Sequence, residues 1–169
     1  MAERILKLVS ILLAAVTVML CGCAKRSAPD AAVTLNFQAD FTADYRGMRL
    51  GGSVTNTRQG LYTLQFTAPP TLEGLHIRSE DGVISLRRDE ALATADEPYL
   101  SSDSFPSLLQ ALLCAAAWGE TTEENKNELA VRLPCGEATL TVDDRRLPKS
   151  AAVPGADCVV TFLRAEPLE

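Results

Sequence analysis

Hydrophobic and polar residues alternate without a break over residues 33–41, VTLNFQADF. A period of two places the apolar side chains on one side of an extended chain and the polar ones on the other, which is the pattern of a β-strand with one buried face. The apolar side of this predicted strand comprises Val33, Leu35, Phe37, Ala39 and Phe41.

Four further segments in the first half of the chain repeat this alternation. The first contains Gly51 and Gly52, a pair that predicts a bulge or bend, and the last two are joined through SEDG, which predicts a hairpin. The simplest arrangement is a meandering antiparallel sheet. The segments are residues 47–57 (GMRLGGSVTNT), 61–67 (LYTLQFT), 75–77 (LHI) and 83–86 (VISL).

One amphipathic helix is predicted between residues 104 and 119. Its apolar residues follow the i, i+3, i+4, i+7, i+8, i+11 spacing of a single helical stripe. Ser104 can cap the helix, Pro106 is tolerated in its first turn and Gly119 can end it. The stripe consists of Phe105, Leu108, Leu109, Leu112, Leu113 and Ala116.

Three more strands are predicted after a polar loop at residues 121–128: residues 129–133, 138–142 and 158–163. The last is apolar on both faces, so we expect it to be covered on both sides. A helix is about 10 Å across and strands lie about 4.8 Å apart, so one helix cannot cover eight flat strands. We therefore predict a mainly β (α+β) fold: a curved antiparallel sheet or half-open β-barrel, with the helix packed in or against its concave face.

The N-terminal residues have the order of a secretory signal. Arg4 and Lys7 accompany an apolar run over residues 5–20 that is shorter than the roughly 20 residues needed to span a bilayer. The four residues Leu20-x-Gly22-Cys23 resemble a bacterial lipobox, which predicts cleavage before Cys23 and its acylation. The alternatives are an ordinary signal peptide or an uncleaved anchor. The expected organisation is a signal peptide at 1–22, an acylated tether at 23–31 and one domain at 32–169.

The net charge and the predicted lipid anchor limit the classes of binding partner. Residues 23–169 carry 14 Lys and Arg against 21 Asp and Glu, a net charge of −7, which disfavours nucleic acid and anionic head groups. We expect acyl chains on Cys23 to hold the domain on the extracytoplasmic face of a bacterial membrane. The sequence identifies no particular protein partner.

The remaining cysteines match no metal template. Cys114, Cys135 and Cys158 are 21 and 23 residues apart and the chain has one histidine, so neither a metal nor a cofactor is expected. An export compartment permits disulfides, and the pairing stays open; Cys135 with Cys158 is favoured because both lie near strand ends.

No catalytic signature is present, so we expect no enzyme. His76 falls between Leu75 and Ile77 on the opposite, solvent-facing side of its predicted strand, with no recognisable nucleophile beside it. The motifs G-x-S-x-G, H-E-x-x-H and S-x-x-K are absent. The paired acids at 123–124 and 143–144 are interpreted as loop and turn residues.

The chain resembles the lipoprotein-carrier (LolA-like, LppX-like) superfamily of envelope proteins that bind acylated lipids. The resemblance lies in residues 60–77 (GLYTLQFTAPPTLEGLHI), 105–113 (FPSLLQALL) and 136–163 (GEATLTVDDRRLPKSAAVPGADCVVTFL). It implies a curved, incompletely closed sheet with helix in its concavity and an apolar pocket for acyl chains. The chain departs from that pattern because it has one convincing helix where the carriers have more lid elements.

Two functions follow as hypotheses. The first is non-enzymatic binding of a lipid or other apolar ligand in the concave sheet, with Trp118 at the pocket rim. The second is a structural or protein-interaction module with a filled core, in which the aromatic residues are core instead. The candidate pocket residues are Phe37, Phe41, Phe66, Trp118 and Phe162.

Overall fold

A computed structural model describes residues 33–57, 60–96, 100–118, 121–125 and 127–168, without the side chains of residue 118 and residues 122–124. The signal, the tether and Cys23 lie outside the described residues, and those predictions stay predictions. One α-helix, α1 (Phe105–Trp118), and eleven strands are described. The strands are β1 (Phe37–Tyr45), β2 (Met48–Asn56), β3 (Tyr62–Ala68), β4 (His76–Glu80), β5 (Val83–Arg88), β6 (Ala91–Asp96), β7 (Thr121–Asn125), β8 (Glu128–Leu133), β9 (Gly136–Val142), β10 (Pro148–Val153) and β11 (Cys158–Pro167).

The strands form one curved, open sheet in the order β6-β5-β4-β3-β2-β1-β11-β10-β9-β8-β7, with every neighbouring pair antiparallel. The chain meanders from β1 outwards to one edge at β6, passes through α1, and meanders back from the other edge at β7 to β11. There β11 pairs with β1, with Phe41 opposite Phe162. The expected mainly β fold, with a curved antiparallel sheet and a single helix, is confirmed.

The helix packs its predicted stripe onto the buried face of the sheet. All six stripe residues, from Phe105 to Ala116, are buried in one hydrophobic core with the inward side chains of the strands. The Phe105 ring lies 5.5 Å from the Phe41 ring and 6.2 Å from the Phe66 ring, which fixes the first turn of α1 over β1 and β3. The spacing of the stripe therefore predicted both the helix and the face it buries.

Several local predictions in the first half are confirmed. The β2–β3 ladder shifts register between Gly51 and Gly52, which is the predicted irregularity. The β4–β5 hairpin closes through Asp81 and Gly82, both at positive φ, as a two-residue hairpin turn requires. The first strand differs in extent: Val33 and Leu35 are buried as predicted, but the ladder begins only at Phe37.

Three strands were not predicted. The edge strand β6 is exposed at five of its six positions, and the edge strand β7 lies in the polar segment that we predicted to be a loop. The third, β10, begins at Pro148 and consists of polar and small residues, so its pattern is weak. The expectation of eight strands was wrong for these reasons.

The prediction that the last strand is covered on both sides is also wrong. In β11, Val159 is 54% exposed and Leu163 is 43% exposed, while Cys158, Val160 and Phe162 point inward. The strand has one wet face like its neighbours, and the two exposed apolar side chains stand opposite Asp44 and Asp40 of β1.

Candidate functional site

Three hairpin turns meet at one end of the sheet. Tyr45 at the end of β1 pairs with Cys158 at the start of β11, so the β1–β2 turn and the β10–β11 turn lie side by side. The backbone N–H of Arg46 donates to the carbonyl oxygen of Asp157 at 2.8 Å and links these two turns. The β8–β9 turn, with Pro134 and Cys135, lies next to them because β9 pairs with β10.

These turns and one flank of α1 enclose an open groove of about 980 Å³. Its floor is apolar and comes from side chains that are buried or half-buried: Leu100, Leu108, Ala111, Leu133 and Ala156. Its rim is largely polar and exposed. The remaining lining residues are Arg46, Ser101, Ser102, Asp103, Ser107, Gln110, Cys114, Pro134, Cys135 and Gly155.

A polar cluster fastens the β1–β2 turn to the segment before α1. The Tyr45 hydroxyl donates to the carbonyl oxygen of Asp103, and Arg46 Nη2 lies 3.5 Å from Asp103 Oδ2. The Arg46 guanidinium also stands 5.2 Å from the centre of the Tyr45 ring. Hydrogen bonds from the hydroxyls of Ser102 and Ser101, followed by Arg46, hold the pKa of Asp103 below its usual value. This cluster shapes one end of the groove.

Cys135 and Cys158 are free thiols. Cys114 and Cys135 are exposed and both line the groove, whereas Cys158 is buried. Burial, then the neighbouring Asp157 and Cys135, raises the pKa of the Cys158 thiol to about 11. The favoured pairing of Cys135 with Cys158 is therefore not present as a disulfide.

Four of the five predicted pocket residues lie in the hydrophobic core of the sheet. Phe37, Phe41, Phe66 and Phe162 are between 0% and 6% exposed. They form two edge-to-face pairs, Phe37 with Phe162 at 6.4 Å and Phe41 with Phe66 at 6.2 Å between ring centres. None of the four lines the groove, and the side chain of Trp118 lies outside the described part. Ligand contact by these five residues stays a prediction.

The groove residues gave little signal in the sequence. Arg46, Cys135 and Gly155 sit in turns between strands, and their meeting depends on the order of strands in the sheet. Gln110, Ala111 and Cys114 lie outside the apolar stripe of α1. This flank of small and polar residues was the one local sequence feature that indicated the groove. Gln110 also donates through Nε2 to Ser79 Oγ at 3.2 Å, which ties this flank to β4.

The polar candidates are placed as follows. His76 is half-buried on β4, opposite Gln65 and Arg87. Asp143 Oδ1 accepts backbone N–H groups of Arg145 and Leu147 at 2.8 Å, the expected turn role. Within the described ranges, no group of three or more His, Cys, Asp or Glu could hold a metal ion.

The hydroxyl of Tyr62 has no hydrogen-bond partner among the described residues, although the side chain is buried. Burial, and next the neighbouring Cys114, raises its pKa above the usual value. In the part of the chain that the structure covers, no helix has the length and apolar content to cross a bilayer.

Comparisons with known proteins give structural neighbours only. No family model and no curated protein matches the sequence. An uncharacterized conserved protein from Thermus thermophilus is similar with a TM-score of 0.52 and 11% identity over 82% of each chain. A LolA superfamily protein from Nitrosomonas europaea is similar with a TM-score of 0.39 and 9% identity, over 80% of this chain and 87% of that one. The similarity to the Thermus protein shows the fold alone. The TM-score of the second similarity is too low to support any conclusion.

Proposed function

We propose that this chain is a non-enzymatic binding protein that holds an apolar ligand, such as a lipid acyl chain, in the groove between α1 and the three turns. The observation that carries the proposal is the groove itself, about 980 Å³ with an apolar floor and a polar rim. Ligand sites are typically clefts of about 300–1,000 Å³ with a mostly apolar lining and a few oriented polar groups. The groove has both properties.

The groove proposed here lies beside α1, whereas the sequence analysis proposed a site among the aromatic residues of the concave sheet. The concave face of the sheet is filled by α1 and by aromatic side chains such as Phe41, Phe66 and Phe105. In this proposal the ligand lies beside the helix, over a floor that includes the half-buried Ala111 and the buried Leu108 and Leu133. In this arrangement the ligand's head group stays in water at the polar rim, while its acyl chain lies on the apolar floor of the groove.

The proposed setting is the extracytoplasmic face of a bacterial membrane. The support is the signal-like N-terminus and the lipobox-like residues before Cys23, whose acylation supplies the anchor. In this arrangement the groove faces a compartment that contains lipids and exported proteins.

A protein-interaction module of the cell envelope is the second candidate. It is favoured by the core, in which Phe37, Phe41, Phe66 and Phe162 are almost fully buried. In that case the groove is a contact surface for another protein.

Native mass spectrometry with lipid extraction tests the proposal. The chain from Ala24 onward, which contains the compact unit starting at Ala31, is produced in a bacterial host. Stoichiometric co-purification of a fatty acid or phospholipid supports binding. An empty protein that also fails to bind the apolar dye ANS rules out the lipid proposal and favours the interaction module.

A further inference from the structure

The β8–β9 turn and the β10–β11 turn are in direct contact through Cys135. A β-carbon built on Gly155 would stand 2.0 Å from the carbonyl oxygen and 3.8 Å from the Cβ of Cys135. Such a close approach is open only to glycine, so the backbone of Cys135 rests on the 3-10 turn Pro154–Ala156. This contact fixes the position of the Cys135 Cβ atom next to Gly155.

Cys158 follows the same turn and is positioned by it. The backbone N–H of Asp157 donates to the carbonyl oxygen of Pro154 at 3.1 Å and closes the turn, and Cys158 then pairs with Val153 across the β10–β11 ladder. The fold thus brings together two thiols that are 23 residues apart in sequence. Their proximity also shows in the charge of a Cys135 thiolate, which raises the pKa of Cys158.

The two thiols differ in accessibility. Cys135 is exposed at the groove rim, whereas Cys158 is 3% exposed. Thiol–disulfide exchange requires an accessible thiolate. Cys135 is therefore the thiol that a disulfide oxidant reaches first. Cys158 is the thiol that then displaces the part of the oxidant bound to Cys135.

We propose that Cys135 and Cys158 are a redox-active pair in which Cys135 is captured by a low-molecular-weight disulfide and Cys158 resolves the adduct. With oxidised glutathione, the Cys135 thiolate attacks one sulfur and releases one glutathione thiol. Cys158 then loses its proton, and its thiolate attacks the Cys135 sulfur, forms the Cys135–Cys158 disulfide and releases the second glutathione. In sum the protein loses two protons and two electrons, and one molecule of oxidised glutathione becomes two thiols.

The cross-link joins two of the turns that enclose the groove. It ties Pro134 and Cys135 to the start of β11 and so fixes that wall. Cys114 lies on α1 and is exposed at the groove, so it can form its own glutathione adduct, but it is not a member of the proposed pair.

The test is peptide mapping of the folded full chain after incubation with oxidised glutathione. Trypsin places the three thiols on different peptides: Cys114 on residues 89–126, Cys135 on 133–145 and Cys158 on 150–164. After acid quenching, alkylation and digestion, we expect a cross-linked product of 133–145 with 150–164, two hydrogens lighter than the sum of the free peptides, while 89–126 is recovered without a cross-link to either peptide.

Variants make the result decisive. Cys114→Ser is expected to leave the cross-link unchanged, whereas Cys158→Ser is expected to accumulate a glutathione adduct on 133–145. A cross-link of 133–145 with 89–126 would overturn the proposal. So would a stable glutathione adduct on Cys135 in the parent chain, or full alkylation of both thiols after prolonged exposure.

Discussion

The carbonyl oxygen of Gln65 lies only 2.0 Å from the position that a β-carbon on Gly52 would occupy. The same β-carbon would stand 3.0 Å from Cε1 of Phe41, so both the β2–β3 ladder and the aromatic core close in on this position. Neither neighbour is the free end of a flexible chain. The register shift between Gly51 and Gly52 is the backbone's adjustment to that packing.

Gly52→Ala is therefore expected to destabilise the fold, by about 1–3 kcal/mol or more, because a methyl group must displace backbone. Gly51→Ala is the matched control. Its β-carbon meets Ala68 Cβ at 3.4 Å and Thr67 Oγ1 at 3.6 Å, which is ordinary contact. Urea unfolding of both variants measures the difference. Equal losses at the two positions would contradict the close approach.

The elements that pack on the core were predictable because burial imposes a pattern. The alternation over residues 33–41 and the α1 stripe follow from one side of each element being dry, and both are buried as expected. The edge strand β6 has no such constraint, because five of its six residues are exposed. The other edge strand, β7, consists of polar residues only. Hydrophobic periodicity cannot identify a strand that has no row of apolar residues on one face.

The groove could not be predicted for a different reason. Arg46, Asp103 and Cys135 belong to separate segments of the chain that meet only once β11 pairs with β1 and β10 with β9. The hydrophobic periodicity within one segment contains no information about which distant segments it contacts. The sequence analysis proposed the aromatic residues as the apolar pocket, but in the structure Phe37, Phe41, Phe66 and Phe162 are buried in the hydrophobic core.

Phe66→Ala tests whether an aromatic core residue also serves the ligand. Phe66 is buried between Phe41 and Phe105, with ring centres 6.2 Å away in both cases. Truncation is expected to cost about 3–5 kcal/mol of the free energy of unfolding, as for other buried aromatic residues. Ligand retention per folded molecule is expected to stay unchanged, measured by native mass spectrometry under conditions where the variant is folded.

Phe66→Leu is the milder companion variant and should lose less stability. A result in which stability is kept and ligand retention falls would return the aromatic residues to the binding site, as the sequence suggested.

The Cys158 thiol gives the fold a dependence on alkaline pH. Its pKa is raised to about 11 in the folded chain, chiefly by burial, from a reference value of 9.0. Between these values the folded state holds a proton that the unfolded state has lost, so this contribution to stability is complete below pH 9 and is lost as the pH rises towards 11. We expect the parent chain to lose stability over this window relative to Cys158→Ala.

The measurement is urea unfolding under reducing conditions at several pH values from 8 to 11. Subtracting the variant matters because the buried Tyr62 hydroxyl, whose pKa is also raised, acts in the same direction in both proteins. A constant difference between parent and variant over the whole range would show that Cys158 does not ionise differently in the two states.

Filling the groove is the direct test of where an apolar ligand binds. Ala111 is half-buried on the groove floor, outside the apolar stripe of α1, so an indole at this position occupies the groove and leaves the core contacts of Leu108 and Leu112 in place. Ala111→Trp is expected to weaken ANS binding on the order of tenfold, which corresponds to about 1.4 kcal/mol. Thr42→Trp is the matched control, because Thr42 is exposed on the outer side of β1, opposite Thr161. If both variants bind the dye as the parent does while their urea midpoints are unchanged, the apolar ligand lies elsewhere and the groove is not its site.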